Sequence, residues 1–251
     1  MIKDQRKISK LKLLHLYRET LFGWKKNFNS YTKIALVVSI PAAILGVLQN
    51  DGYLGDYGLT LGIAWAFVFI TIIYFTIHGS KLRNVKLATA YTTASGRFLQ
   101  FLGVSLILAL FALPIFLSLF GLFLSLPIFN LPPIIFLPLS VFSFLISSYL
   151  LARFGIGQVI SVAEEQSVIQ SLKLSSEITK KNRWKIFFGT FLVILVFLII
   201  LTAIQFLLGI NQSVAQNRIV SSLVYIVEAS VMAPLFFIFQ AEMYRELNGK
   251  K

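Results

Sequence analysis

From Ile186 to Ile210 the chain runs 25 residues without a charged side chain. A helix of that length rises roughly 37 Å, enough to cross a hydrocarbon core of ~30 Å. The residues before it form a lead-in. Ser161-Val162-Ala163-Glu164-Glu165 is a polar helix candidate, and Ser161-x-x-Glu164 has the form of a capping box. Leu172, Leu174 and Ile178 follow, then the basic run Lys180-Lys181-Asn182-Arg183-Trp184-Lys185. An amphipathic helix, a basic-aromatic hinge and a membrane span in that order organise the rest of the chain.

The same logic applies upstream. Phe98 to Ile160 holds one charge, Arg153, across 63 residues, too many for one span. Pro127, Asn130, Pro132 and Pro133 mark a turn inside it. The whole chain is 57% hydrophobic and only 13% charged, against about a quarter charged in a soluble domain. Solid apolar runs exclude a β-barrel, whose strands would alternate apolar and polar residues. The expected fold is all-α: a polytopic membrane protein with six transmembrane helices in three hairpins and amphipathic helices at the cytoplasmic interface. Spans are expected at about 31–49, 57–77, 98–124, 134–160, 186–210 and 219–241. Residues 1–30 form a separate basic amphipathic helix, and 31–251 form one membrane domain.

In the first segment Ile8, Leu11, Leu14, Tyr17, Leu21, Trp24 and Phe28 recur every three or four positions, with Lys7, Lys10, Arg18 and Lys25 off the stripe. This predicts a helix lying in the headgroup layer, apolar face down. Span 1 has a short uncharged centre, Ile34–Leu48, and Pro41 is expected to kink it. Asn50 to Asp56 reads as a polar turn, because its two carboxylates lack the spacing of a calcium loop. Gly58-x-x-x-Gly62 opens span 2 and is a pattern that allows close helix approach. Residues 81–97 form a second amphipathic linker ending in Gly96-Arg97-Phe98. Pro114 and Pro138 are expected to bend spans 3 and 4.

Orientation follows from the basic residues. Residues 1–33 carry nine Lys/Arg, 78–98 four, 161–185 five and 242–251 three, whereas the opposite loops carry Arg218 alone. That bias predicts both termini in the cytoplasm. The net charge of +13 lies almost wholly between spans, so it points to anionic lipid and not to nucleic acid. No cleavable signal peptide is expected, since some 30 polar and basic residues precede the first apolar run. The absence of cysteine excludes disulfides and thiolate chemistry.

Three units can be laid side by side, each an amphipathic stretch, a basic or aromatic junction and two spans. The junctions are Trp24-Lys25-Lys26-Asn27-Phe28, Gly96-Arg97-Phe98 and Lys181-Asn182-Arg183-Trp184. Triplication and the bare demands of the positive-inside rule both account for the pattern. The segment Ser167 to Trp184 (SVIQSLKLSSEITKKNRW) resembles the A-L-x-x-S-x-x-L-T-x-x-x-x-W junction of the glycerophosphoryl diester phosphodiesterase membrane-domain-like group, which includes the YciC-type six-span proteins. Pro234 and the closing Tyr244-Arg245-Glu246-Leu247 are similar too, while Ile169 stands where Ala is usual. The resemblance implies a six-span fold in a bacterial or archaeal cytoplasmic membrane. It does not imply phosphodiesterase activity, because the only histidines, His15 and His78, belong to no acidic metal cluster.

No catalytic constellation, metal-ligand set or cofactor fingerprint is legible. Glu228 is the sharpest single residue, an acid about nine residues into span 6. Such residues mark function unless they merely tie helices together by hydrogen bonds. Arg153, near the cytoplasmic end of span 4, is expected to snorkel, and Gln205 is the expected hydrogen-bond partner of Glu228. Gln158, Gln240, Glu242 and Tyr244 fall near one depth at the cytoplasmic surface. Lipid-headgroup contacts are expected from Lys180, Lys181, Arg183, Trp184, Lys185, Arg97, Trp24, Lys25 and Lys26. Two functional classes stay open: a non-enzymatic protein that organises anionic lipid or a membrane-protein partner, and a small transporter or permease component using Glu228.

Overall fold

A computed structural model describes residues 11–48, 54–79, 87–124, 133–207 and 218–249. The described elements are α-helices: α1 (Leu13–Lys26), α2 (Phe28–Leu48), α3 (Leu54–Gly79), α4 (Leu87–Leu124), α5 (Pro133–Phe154), α6 (Gly157–Ala163), α7 (Val168–Thr179), α8 (Arg183–Leu207) and α9 (Arg218–Leu247). Among the described residues four stretches are long and apolar enough to cross a membrane: Phe28–Leu45, Ala88–Pro114, Ser140–Ala163 and Arg183–Ile200. α3 adds a shorter apolar stretch, Gly62–His78. The chain divides into two compact units, residues 1–98 with 189–251, and residues 99–188.

In the first unit α2, α3 and α9 pack on one another, and α1 lies on α9. Tyr31, Ile34, Ala35, Ala42 and Ala43 of α2 are buried, as are Phe237, Ile238, Phe239 and Ala241 of α9. Along α3 the successive residues Ile70, Thr71, Ile72 and Ile73 are all buried, the mark of a helix enclosed on every side. Ser39 of α2 and Ser230 of α9 bring their hydroxyls within 3.4 Å in this interior. Aromatic stacks join α3 to its neighbours: Phe69 on Phe237 at 4.0 Å and Phe67 on Phe98 at 4.4 Å.

The apolar stripe of the first helix is divided between two surroundings. Leu11 of the stripe is buried and Tyr17 stacks on Phe239 of α9 at 5.6 Å, while Leu16 and Thr20, which lie off the stripe, are buried as well. Leu14, Leu21 and Phe22 stay exposed, Leu14 to 85%. So α1 does not simply lay its whole apolar stripe on a bilayer. One side grips the protein, because the close approach of Gly189 on α8 leaves room for it: a Cβ at Gly189 would stand 2.8 Å from Leu13 Cδ2. The Tyr17 hydroxyl donates to the Gly189 carbonyl at 3.0 Å. The other side offers Leu14, Leu21 and Phe22 outward. α1 ends at Asn27, whose side-chain amide and backbone N–H both donate to the Gly23 carbonyl.

In the second unit α7 packs on α5 and α6. The buried face of α7 is mostly polar: Ser171, Ser175 and Thr179, with Ile178 beside them. Small side chains let the backbones come close, as they do in membrane helix pairs. Gly103 of α4 extends this, since a Cβ there would meet Val168 Cγ2 at 2.7 Å. By contrast, a Cβ on Gly62 would meet nothing within 4 Å, so that half of the Gly58–Gly62 pattern serves no close approach.

Two expected junctions are placed differently. The capping box is not at Ser161 and Glu164. Ser161 lies inside α6 and donates to the Gln158 carbonyl, while Glu164 ends that helix. Glu165 then takes a left-handed φ of 58°, the chain reverses, and the box forms where the next helix starts, between Ser167 and Gln170. The Ser167 N–H donates to Gln170 Oε1 at 3.3 Å. Similarly, Gly96-Arg97-Phe98 is not a hinge: α4 runs through it unbroken from Leu87. The Thr92, Thr93 and Ser95 hydroxyls donate to carbonyls one turn back, and Ala90, Ala94 and Phe101 continue one buried stripe, so nothing stops the helix there. α2, α4, α5 and α9 likewise continue past Pro41, Pro114, Pro138 and Pro234.

Candidate lipid-headgroup interface

The third junction is built from the end of α5, the end of α7 and the start of α8. α5 runs out at Phe154, and its last carbonyls need partners. α7 supplies them. The Ser175 and Thr179 hydroxyls donate to the Arg153 carbonyl at 3.0 and 3.1 Å. This explains why the inner face of α7 is a serine–threonine stripe with a period of four. Arg153 itself is half-buried. Its Nε donates to Ser176 Oγ at 2.7 Å, and its guanidinium lies 4.8 Å from the centre of the Phe154 ring.

After Thr179 a short turn carries Lys180 and Lys181, both exposed, and the buried Asn182, whose N–H donates to the Thr179 carbonyl at 2.8 Å. Arg183 begins α8. Its guanidinium stands 5.2 Å from the centre of the Tyr149 ring, and its Nη1 donates to the Tyr149 hydroxyl. Tyr149 and Arg153 lie four residues apart on α5, hence on one face. Trp184 is 69% exposed, Lys185 is exposed and Phe188 is 58% exposed. Phe187 meets Phe144 of α5 edge-on at 6.3 Å. The arrangement is cationic at the helix ends and aromatic just beyond them, the order of groups found across a headgroup layer.

The junction at the end of α1 is similar in composition. Lys25 and Lys26 are exposed in the last turn of α1, where cations complement the helix dipole. Trp24 is half-buried and packs edge-on against Phe28 at 4.9 Å. Arg97 sits half-buried in the middle of α4. Glu228 and Gln205 fall in α9 and α8, but their side chains lie outside the described residues.

The first unit also holds polar contacts along α1 and α9 that sequence reasoning did not find. The Lys12 N–H donates to Glu246 Oε1 at 2.8 Å, and Arg245 Nη1 pairs with both oxygens of Glu242 at 2.7 and 3.0 Å. His15 lies 3.8 Å from Glu19. Burial pushes the Glu242 carboxyl above the ordinary carboxylate range; Arg245 opposes the shift by charge and hydrogen bond, Glu19 adds to it and His15 acts against it. The Tyr17 phenol is also raised by burial. Gln158 belongs to the other unit, where its amide donates to Ser105 Oγ at 2.8 Å. Tyr244 accepts from Asn248 at 2.9 Å. Of the four residues grouped by depth, Gln158, Glu242 and Tyr244 each make a local bond, and Gln240 Oε1 is enclosed without a hydrogen-bond partner among the described residues.

Tyr149, Ser175, Ser176 and Thr179 were not singled out in the sequence, although the four-residue spacing of Ser171, Ser175 and Thr179 was there to see. No family model, curated protein or solved structure matches this chain.

Proposed function

We propose that this chain is a non-enzymatic protein of the cytoplasmic membrane that holds anionic lipid at its cytoplasmic face, as a scaffold or as an accessory subunit of a membrane complex. The observation that carries the reading is the Lys180–Lys185 junction: exposed Lys180, Lys181, Trp184 and Lys185 at the start of α8, which carries no charge after Lys185. Each Lys or Arg near an anionic surface contributes about 1 kcal/mol. The full reading has six spans in three hairpins with both termini cytoplasmic, supported by the distribution of Lys and Arg. The resemblance of Ser167–Trp184 to the six-span group agrees with that location.

The test is a variant in which Lys180, Lys181, Arg183 and Lys185 are all changed to Gln. In mixed bilayers carrying spin-labelled lipid, the native protein is expected to enrich phosphatidylglycerol over phosphatidylcholine at its surface. The variant is expected to lose that preference. An unchanged preference would remove the basis of the reading.

A second reading, a transporter component using Glu228, draws on the hydroxyl pair Ser39–Ser230 two residues further along α9 and on Pro41 and Pro234 in the same two packed helices. Polar groups and prolines at membrane depth are features of transport folds. Glu228→Gln with undiminished flux in proteoliposomes would exclude it.

A further inference from the structure

The two arginines of the third junction carry more than a diffuse charge. Arg153 and Arg183 attach to neighbouring turns of α5: Arg153 grows from it, and Arg183 lies over Tyr149, four residues earlier on the same face. Among the described residues neither guanidinium meets a carboxylate, and each is oriented by a neutral hydroxyl that uses a single donor. Ser176 takes the Nε of Arg153, which leaves its Nη1–Nη2 edge without an acceptor among the described residues. Tyr149 takes one hydrogen of Arg183 Nη1, which leaves the second Nη1 hydrogen and Nη2 without an acceptor among the described residues, while Nε is enclosed. A guanidinium edge with two parallel N–H groups matches two oxygens of one phosphate.

The surroundings identify the anion's source. Beside Tyr149, itself 47% exposed, the outward residues of α5 are Leu145, Ile146 and Phe142; beside Arg183, those of α8 are Trp184 and Phe188. Both helices thus offer apolar and aromatic side chains next to the cationic seat. The nearby charges on α7 and the turn are Lys173, Glu177, Lys180 and Lys181, three cations against one acid. We propose that Arg153 and Arg183, held by Ser176 and Tyr149, form a discrete seat for the phosphate of one anionic lipid, whose acyl chains lie along α5 and the start of α8. The proposal rests on the lipid-binding reading above and narrows it to one site.

The test uses the full chain released from bilayers of phosphatidylglycerol and phosphatidylcholine and weighed by native mass spectrometry. The native protein is expected to retain one phosphatidylglycerol after the others have left. Arg153→Gln with Arg183→Gln is expected to weaken that retention about tenfold or more. Lys180→Gln with Lys181→Gln is expected to keep it. Arg153→Lys with Arg183→Lys keeps the charge, guards against loss of folding and is expected to lose the lipid as well, because an ammonium presents no fork. Retention in either arginine variant overturns the proposal. Equal loss in the Lys180/Lys181 variant also overturns it, while leaving a general basic lipid surface intact. Inorganic phosphate added to lipid-free protein is expected not to bind; if it occupies the seat and displaces phosphatidylglycerol, the site takes free phosphate and the lipid assignment fails.

Discussion

Arg153 donates its Nε to Ser176 Oγ at 2.7 Å while its own carbonyl accepts from Ser175 and Thr179. One residue thus receives the end of α5 and the inner face of α7 together. Ser176→Ala removes the bond from a charged donor and frees the guanidinium, while the carbonyl bonds persist. It is expected to cost about 1.5 kcal/mol in stability. Thr179→Val keeps the shape and removes one of two hydroxyls from the Arg153 carbonyl, at an expected cost of about 1 kcal/mol. Unfolding in detergent, followed by circular dichroism, measures both. No loss in either would show that α7 is held by apolar contacts alone.

The contact of α4 with the start of α7 depends on Gly103. A methyl group there meets Val168 Cγ2 at 2.7 Å, so Gly103→Ala must push the valine aside. Overpacking of this kind costs about 1–3 kcal/mol. Val168→Ala in the same chain is expected to relieve most of it. A double variant no more stable than Gly103→Ala would mean that the backbone, not the valine tip, sets the limit.

Tyr17 holds α1 to the protein by one hydroxyl and one ring stack. Tyr17→Phe removes the bond to the Gly189 carbonyl and keeps the stack on Phe239. It is expected to cost about 1 kcal/mol and to speed proteolysis within residues 13–26. Tyr17→Ala is expected to do so much more strongly. Equal cleavage rates in all three proteins would show that α1 is retained by other contacts.

Glu242 gives stability a dependence on pH. Its carboxyl in the folded protein is raised by burial, so the folded state holds the proton more tightly than the unfolded chain. Its contribution is then fully present below the ordinary carboxylate value and is lost as pH rises through the raised folded value. The native protein, compared with Glu242→Gln, is expected to gain stability as pH falls through that window. Thermal unfolding of both across a pH series measures the difference; a native protein that loses stability relative to Glu242→Gln as pH falls would contradict the sign.

The membrane helices were readable because a charge-free run such as Ile186–Ile210 is a local property of the chain, and so is the cluster Lys180–Lys185 beside it. What escaped was any feature that joins distant segments. The hydroxyls of Ser175 and Thr179 point inward to the Arg153 carbonyl, 22 to 26 residues earlier, and nothing local in the chain announces that pairing. Arg153 read as a snorkelling end residue because nothing local in the sequence announces Ser176 as its partner. The stripe of α1 found only part of the covered face: packing on α9 covers Leu16 and Thr20, which lie off the stripe, and leaves its Leu14 and Leu21 exposed. The mistaken capping box has a similar cause. Ser161 and Ser167 carry equally good local signals, and the reversal at Glu165 chooses between them.

The chain has no cysteine of its own, so a single introduced thiol reports its side of the membrane without background. Lys181→Cys and Ser213→Cys bracket α8 and its expected exit loop. In sealed right-side-out vesicles a membrane-impermeant maleimide is expected to label Cys at position 213 and not at 181; inside-out vesicles are expected to give the reverse. Labelling of both positions from one side would mean that α8 does not cross, and would contradict the placement of the basic junction on the cytoplasmic surface.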